Sequence, residues 1–211
     1  MRGAALAESQ PAAKATAQAG ALNVIAAESA NDFAQWRTIL SNHLKTPNQK
    51  DIFVGVTMEC GLLTRTLVQS KGGQKSTAVA EGAVEVRVLV DGHEAEPGPV
   101  TFCRRSQELS TTFQDLIDGC LSVDDLGNVL LDEACLLPEE VELVQETMNA
   151  GGYNFIEGDL GPGVHFIEVQ TRINLSSSAD SGSAEARALL GKGSVTVEEV
   201  RLVKGEDYEL Y

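Results

Sequence analysis

From residue 51 onward, apolar side chains fall mostly on alternate positions, the period of a strand with one buried face. In DIFVGVTMEC, Ile52, Val54 and Val56 share a face, and GLLTRTLV continues the pattern beyond a glycine suited to a bulge or corner. AVEVRVLVDG is the clearest case: Val84, Val86, Val88 and Val90 alternate with Glu85, Arg87 and Leu89 until Asp91-Gly92 stops them. VTFCRRSQEL resumes after Pro97-Gly98-Pro99. VHFIEVQTRINL places His165, Ile167, Val169, Thr171 and Ile173 on one face. In GSVTVEEVRLVKG, Val195 and Val197 are out of phase with Val200 and Leu202, which predicts a bulge at Glu198-Glu199.

Two segments depart from this period. In NDFAQWRTILSNHLKTPNQ the spacing of Phe33, Trp36, Ile39, Leu40 and Leu44 predicts a short helix or turn leading into a strand. LPEEVELVQETMNAGG carries Pro138 near a first helical position, Glu139 and Glu140 in a first turn, Val141, Val144 and Met148 on one face, and Gly151 as terminator. That predicts a helix near 137–150. Many short strands, Gly/Pro punctuation and no βαβ alternation predict a mainly β fold: an antiparallel β-sandwich, Ig-like or jelly-roll, with one inserted helix. Residues 1–22, small and polar, predict a flexible N-terminal arm, and 23–211 a single domain with an acidic hairpin-plus-helix insertion at about 115–152.

Composition bounds the function. Of 211 residues 43% are hydrophobic and 22% charged, the balance of a chain that folds. The net charge of −15 is local: residues 111–170 hold thirteen acidic side chains and neither Lys nor Arg. Phosphate recognition needs clustered base, so nucleic acid and anionic membrane surfaces are poor partners and no nucleic acid is expected, whereas a cation or a basic protein surface suits that stretch. No apolar run approaches the roughly 20 residues of a membrane-spanning helix. The opening residues lack the continuous apolar stretch of a secretory signal, so such a signal has either been removed or does not exist.

Candidate chemistry concentrates in CLSVDDLGNVLLDEAC, residues 120–135. As a hairpin, CLSV and VLLD are strands, DDLGN is the turn and Cys120–Cys135 closes the base. As a calcium loop, Gly127 takes the obligatory glycine place, but Ser122 and Leu126 then occupy positions that want better oxygen donors. The hairpin is the preferred expectation; the donors to test for calcium are Asp124, Asp125, Asn128, Asp132 and Glu133. Cys60 and Cys103 lie in two predicted strands and suit an inter-sheet disulfide, and four cysteines fit an oxidising compartment. Zinc is disfavoured, because His43, His93 and His165 stand apart from one another and from cysteine.

No nucleophile elbow, zinc-protease helix or phosphate loop occurs, so a non-enzymatic role is expected. His165, on an apolar strand face, reads as a satisfied core histidine. The expectation is an extracellular or cell-surface structural protein that self-associates through its N-terminal arm and sheet edge. The alternative is an extracellular β-sandwich module that binds calcium or carbohydrate, using the acidic loop or the rim around Trp36, with a glycan or protein as partner.

Overall fold

A computed structural model describes residues 15–20, 25–27, 29, 32–69, 75–112, 121–131 and 140–202. Among these the chain is antiparallel β structure without a helix. The long strands are β3 (Arg37–Thr46), β4 (Lys50–Gln69), β5 (Lys75–Val90), β7 (Val100–Thr112), β10 (Glu140–Leu160), β11 (Gly163–Ala179) and β12 (Gly182–Val200). The short ones are β1 (Ala15–Gly20), β2 (Ile25–Ala27), β6 (His93–Glu94), β8 (Leu121–Val123) and β9 (Val129–Leu131).

One sheet runs β1-β12-β4-β10, with β2 beside β12; the other runs β3-β11-β5-β6, with β7 beside β5; β8 and β9 form a separate hairpin. The pairing is nested. Among the described strands β1, the first, pairs with β12, the last, β3 with β11, β4 with β10 and β5 with β7, always antiparallel. The two large sheets share one apolar core, built from alternate residues: Val54, Val56 and Met58 of β4, Val84, Val86 and Val88 of β5, Ile167, Val169 and Ile173 of β11, and Leu190, Val195 and Val197 of β12. The Cys60–Cys103 disulfide links β4 to β7, and so one sheet to the other, with Cα atoms 6.5 Å apart.

Three features differ from the sequence reading. The segment expected as a helix near 137–150 is, from Glu140 on, part of β10, and its Val141, Val144 and Met148 do not share a face. The physical reason is β4, whose backbone would lose its partners along one whole side if β10 coiled instead. Pairing overrides helix propensity. Gly151, read as a helix stop, is instead a close approach: a Cβ there would lie 3.2 Å from the Phe102 ring. Secondly, the bulge in β12 lies between Leu190 and Gly193, where Gly191 and Lys192 stand opposite Glu59, and pairing from Gly193 to Val200 is regular. The extra residue switches the buried set from Ala186, Ala188 and Leu190 to Val195 and Val197. Thirdly, Ala15–Gly20, within the expected arm, form a strand on β12, where backbone pairing orders a segment with few apolar side chains. Ahead of β3, Asp32 and Phe33 form a turn and residues 34–36 are irregular, in line with the turn expected there.

Candidate functional site: an open sheet edge

β10 is the terminal strand of its sheet, and among the described residues β4 alone pairs along it between Glu140 and Phe155. Phe155 is fully buried opposite Val54, so the odd-numbered side chains of β10 turn inward and the even-numbered ones outward. Yet Val141 and Leu143 on the inner side, and Val144 and Met148 on the outer, remain exposed, the last two at 54% and 52%. Tyr153 joins them. Strand edges of this length, with apolar side chains on both faces, are templates for another strand.

The edge is firmly positioned. The Gln107 amide, buried between the sheets, accepts from the Thr64 hydroxyl at 2.7 Å and donates to Thr66 Oγ1 at 2.7 Å and to the Leu143 carbonyl at 2.8 Å. Arg65 of β4 pairs with Glu142. At the far end, Ile156 and Glu96 exchange both backbone hydrogen bonds at 2.9 Å. On the outer face, Gly61, Leu63, Met148, Arg187 and Leu189 line a shallow cleft of about 210 Å³.

Of the calcium candidates, Asp124, Asp125 and Asn128 share the turn between β8 and β9, while Asp132 and Glu133 lie outside the described residues, as do Cys120 and Cys135. Asp124 holds its own turn. Its Oδ1 accepts from the backbone N–H of Leu126 at 2.9 Å and of Asn128 at 2.8 Å, and its Oδ2 from the Asn128 side-chain amide at 2.9 Å. The Asn128 bonds foremost hold this carboxyl below its usual range. Gly127, at φ +84°, supplies the left-handed residue of the turn. The tip carries Leu126 at 87% exposure. No group of three or more His, Cys, Asp or Glu side chains converges on a cation position among the described residues.

His165 is buried and bonded at both ring nitrogens. Nδ1 meets Asp91 Oδ2 at 2.7 Å; Nε2 lies 3.0 Å from Thr46 Oγ1 and 2.9 Å from the Gly161 carbonyl. The order Asp–His–Thr is that of an oriented base beside a hydroxyl nucleophile. But Thr46 is buried and its hydroxyl donates to Gly161 O at 2.6 Å, so the arrangement fastens the β10–β11 connection to the ends of β3 and β5. Burial alone would raise the Asp91 carboxyl; the Phe166 N–H and His165 outweigh it and hold it low. Nearby, burial raises Glu157, against the pull of His93 and with the push of Glu96 and Asp91. Trp36 lies over the Arg87 and Arg172 guanidinium groups, 4.5 and 4.7 Å from the ring centre. His43 stacks on Phe166 at 4.9 Å.

No family model matches the sequence, and no curated protein does. Among solved structures, the chain is similar to that of infectious bursal disease virus Gx strain, at 11% identity and a TM-score of 0.24, over 90% of this chain and 37% of that one. It is similar also to a CocE/NonD family hydrolase from Staphylococcus aureus, at 10% identity and a TM-score of 0.24, over 88% of this chain and 33% of the hydrolase. The chain thus spans about a third of the length of each. Likeness at this level assigns no function.

The residues of the β10 edge escaped the sequence reading because their spacing at 141, 144 and 148 imitates a helix face. The usable signal was in the same segment: Val, Thr, Tyr, Phe and Ile between 141 and 156 favour strands.

Proposed function

We propose that this chain is a structural subunit that associates with copies of itself, at a cell surface or outside the cell, through an open edge of its sheet. The observation that carries the reading is the β10 edge, which combines length, an unpaired backbone among the described residues and five exposed large apolar side chains. The nested order, first strand on last and each successive pair inside it, supports a jelly-roll form of the two-sheet fold, an architecture shared by capsid and lectin domains. Fold carries no function by itself, and the edge supplies the argument. The Cys60–Cys103 disulfide is compatible with an oxidising, extracellular setting, and no helix among the described residues is long and apolar enough to cross a membrane.

Light scattering of the full chain over a concentration series tests the reading. Mass rising above that of the 22.4 kDa chain supports it; a constant single-chain mass at every concentration sinks it. Running the series with calcium and with chelator tests whether a cation at Asp124, Asp125 and Asn128 alters association.

A further inference from the structure

We propose that two copies of this chain join through β10 in antiparallel register about a two-fold axis at Met148, an inference that rests on the self-association reading and specifies its contact. The backbone sets which residues can pair. Ile156 exchanges its N–H and C=O bonds with Glu96, on the side away from β4, and the β10–β4 register is unbroken from Glu140 to Glu157. Pleat alternation therefore turns the N–H and C=O of each even-numbered residue from Glu142 to Asn154 toward the open edge. That stretch is symmetric about Met148. A second copy rotated about Met148 presents the same groups, so each pair of even-numbered residues from Glu142 to Asn154 is mutually bonded with Cα atoms about 5.5 Å apart, and the odd-numbered pairs between them are the closer, non-bonded ones.

Side chains select the same register. On the outer face Met148 meets Met148 of the second copy, Val144 meets Gly152, Glu146 meets Ala150 and Glu142 meets Asn154. On the inner face Leu143 meets Tyr153. Met148, Val144, Glu146 and Leu143 each stand opposite a small or apolar residue, Glu142 stands opposite the Asn154 amide, and no carboxylate faces a carboxylate. The two Glu146 side chains are four residues apart along the seam, roughly 13 Å. Moving the axis to Glu146 sets those two charges directly opposite, and moving it to Val144 sets Glu142 against Glu146; like charges so placed are destabilising. Moving it to Thr147 sets Met148 against Glu146 and Leu143 against Gly151, which forfeits the apolar pairs. An isologous contact of this kind closes as a dimer.

Cysteine trapping in the full chain tests the contact. Under mild oxidation Met148→Cys is expected to give a disulfide-linked dimer, because paired Cα atoms at this spacing fall within disulfide range. Val144→Cys, far from its counterpart, is expected to give no more than the parent. Ala150→Pro removes an edge-facing N–H without touching the β4 pairing; it is expected to match the parent's melting temperature at concentrations where the parent is monomeric, and to lose the dimer at higher ones. If the parent associates and Thr147→Cys links while Met148→Cys does not, the register is wrong. If the parent associates and neither links, the contact lies elsewhere and self-association stands without this inference. A parent that stays monomeric overturns both.

Discussion

His165 shows how a single polar group is accommodated on an otherwise apolar strand face. Its two nitrogens reach Asp91 on one side and Thr46 with Gly161 on the other, so a ring 7% exposed leaves neither nitrogen without a partner. Asp91 titrates below its usual value in the folded chain, so the stability its charge adds is present above about pH 4 and is lost as pH falls through the lowered value. Asp91→Asn keeps the left-handed turn (φ 51°) but not the charge. Because Asp91 is well exposed, the expected loss is modest, about 1 kcal/mol at pH 7, and the difference from the parent should shrink at about pH 3. Urea unfolding at the two pH values measures it. Gly182 is a sharper case: its φ is +114° and a Cβ would lie 2.1 Å from the Leu67 carbonyl oxygen. Gly182→Ala is expected to cost about 3 kcal/mol or more in thermal unfolding, whereas Gly127→Ala, with open space around it, carries the left-handed penalty of about 1 kcal/mol.

At the scale of elements, the edge strand depends on one amide. Gln107 is the buried link by which β7 holds the β10 backbone, and its three polar contacts leave little room for substitution. Gln107→Leu strands the Thr64 and Thr66 hydroxyls and is expected to cost about 1–3 kcal/mol. Amide exchange around Leu143 should accelerate more than exchange in β5, which a uniform loss of stability would not produce. This dependence also explains what could be read before the fold was known. Val84 to Val90 announce β5 because a strand buried on one face alternates. β10 does not alternate, since both its faces are exposed at the N-terminal end and burial imposes no period; what makes it a strand is the demand of β4, a contact remote in the chain. The DDLGN turn was legible because Asp124, Gly127 and Asn128 act within five residues. The Asp91–His165 pair was not, its members being 74 positions apart in the chain.

For the whole molecule, the disulfide is the covalent link between the sheets. Joining residues 43 apart restricts the unfolded chain, and the chain-entropy relation gives about 4 kcal/mol for a loop of that size. Cys60→Ala with Cys103→Ala is expected to lower unfolding stability by about that amount, measured by guanidinium titration, with a steeper slope because the unfolded chain without the cross-link exposes more surface. The nested pairing has a further consequence, for synthesis. β12 is the inner strand against which β1, β2 and β4 lie, yet it is made after all of them. As the chain leaves the ribosome, β4 emerges long before either of its neighbours, β10 and β12. A long nascent segment must therefore wait with valine-rich faces uncovered until β12 has been made, which favours slow closure of the sheet. A ribosome stalled before residue 182 should therefore display a chain that proteases still cut freely.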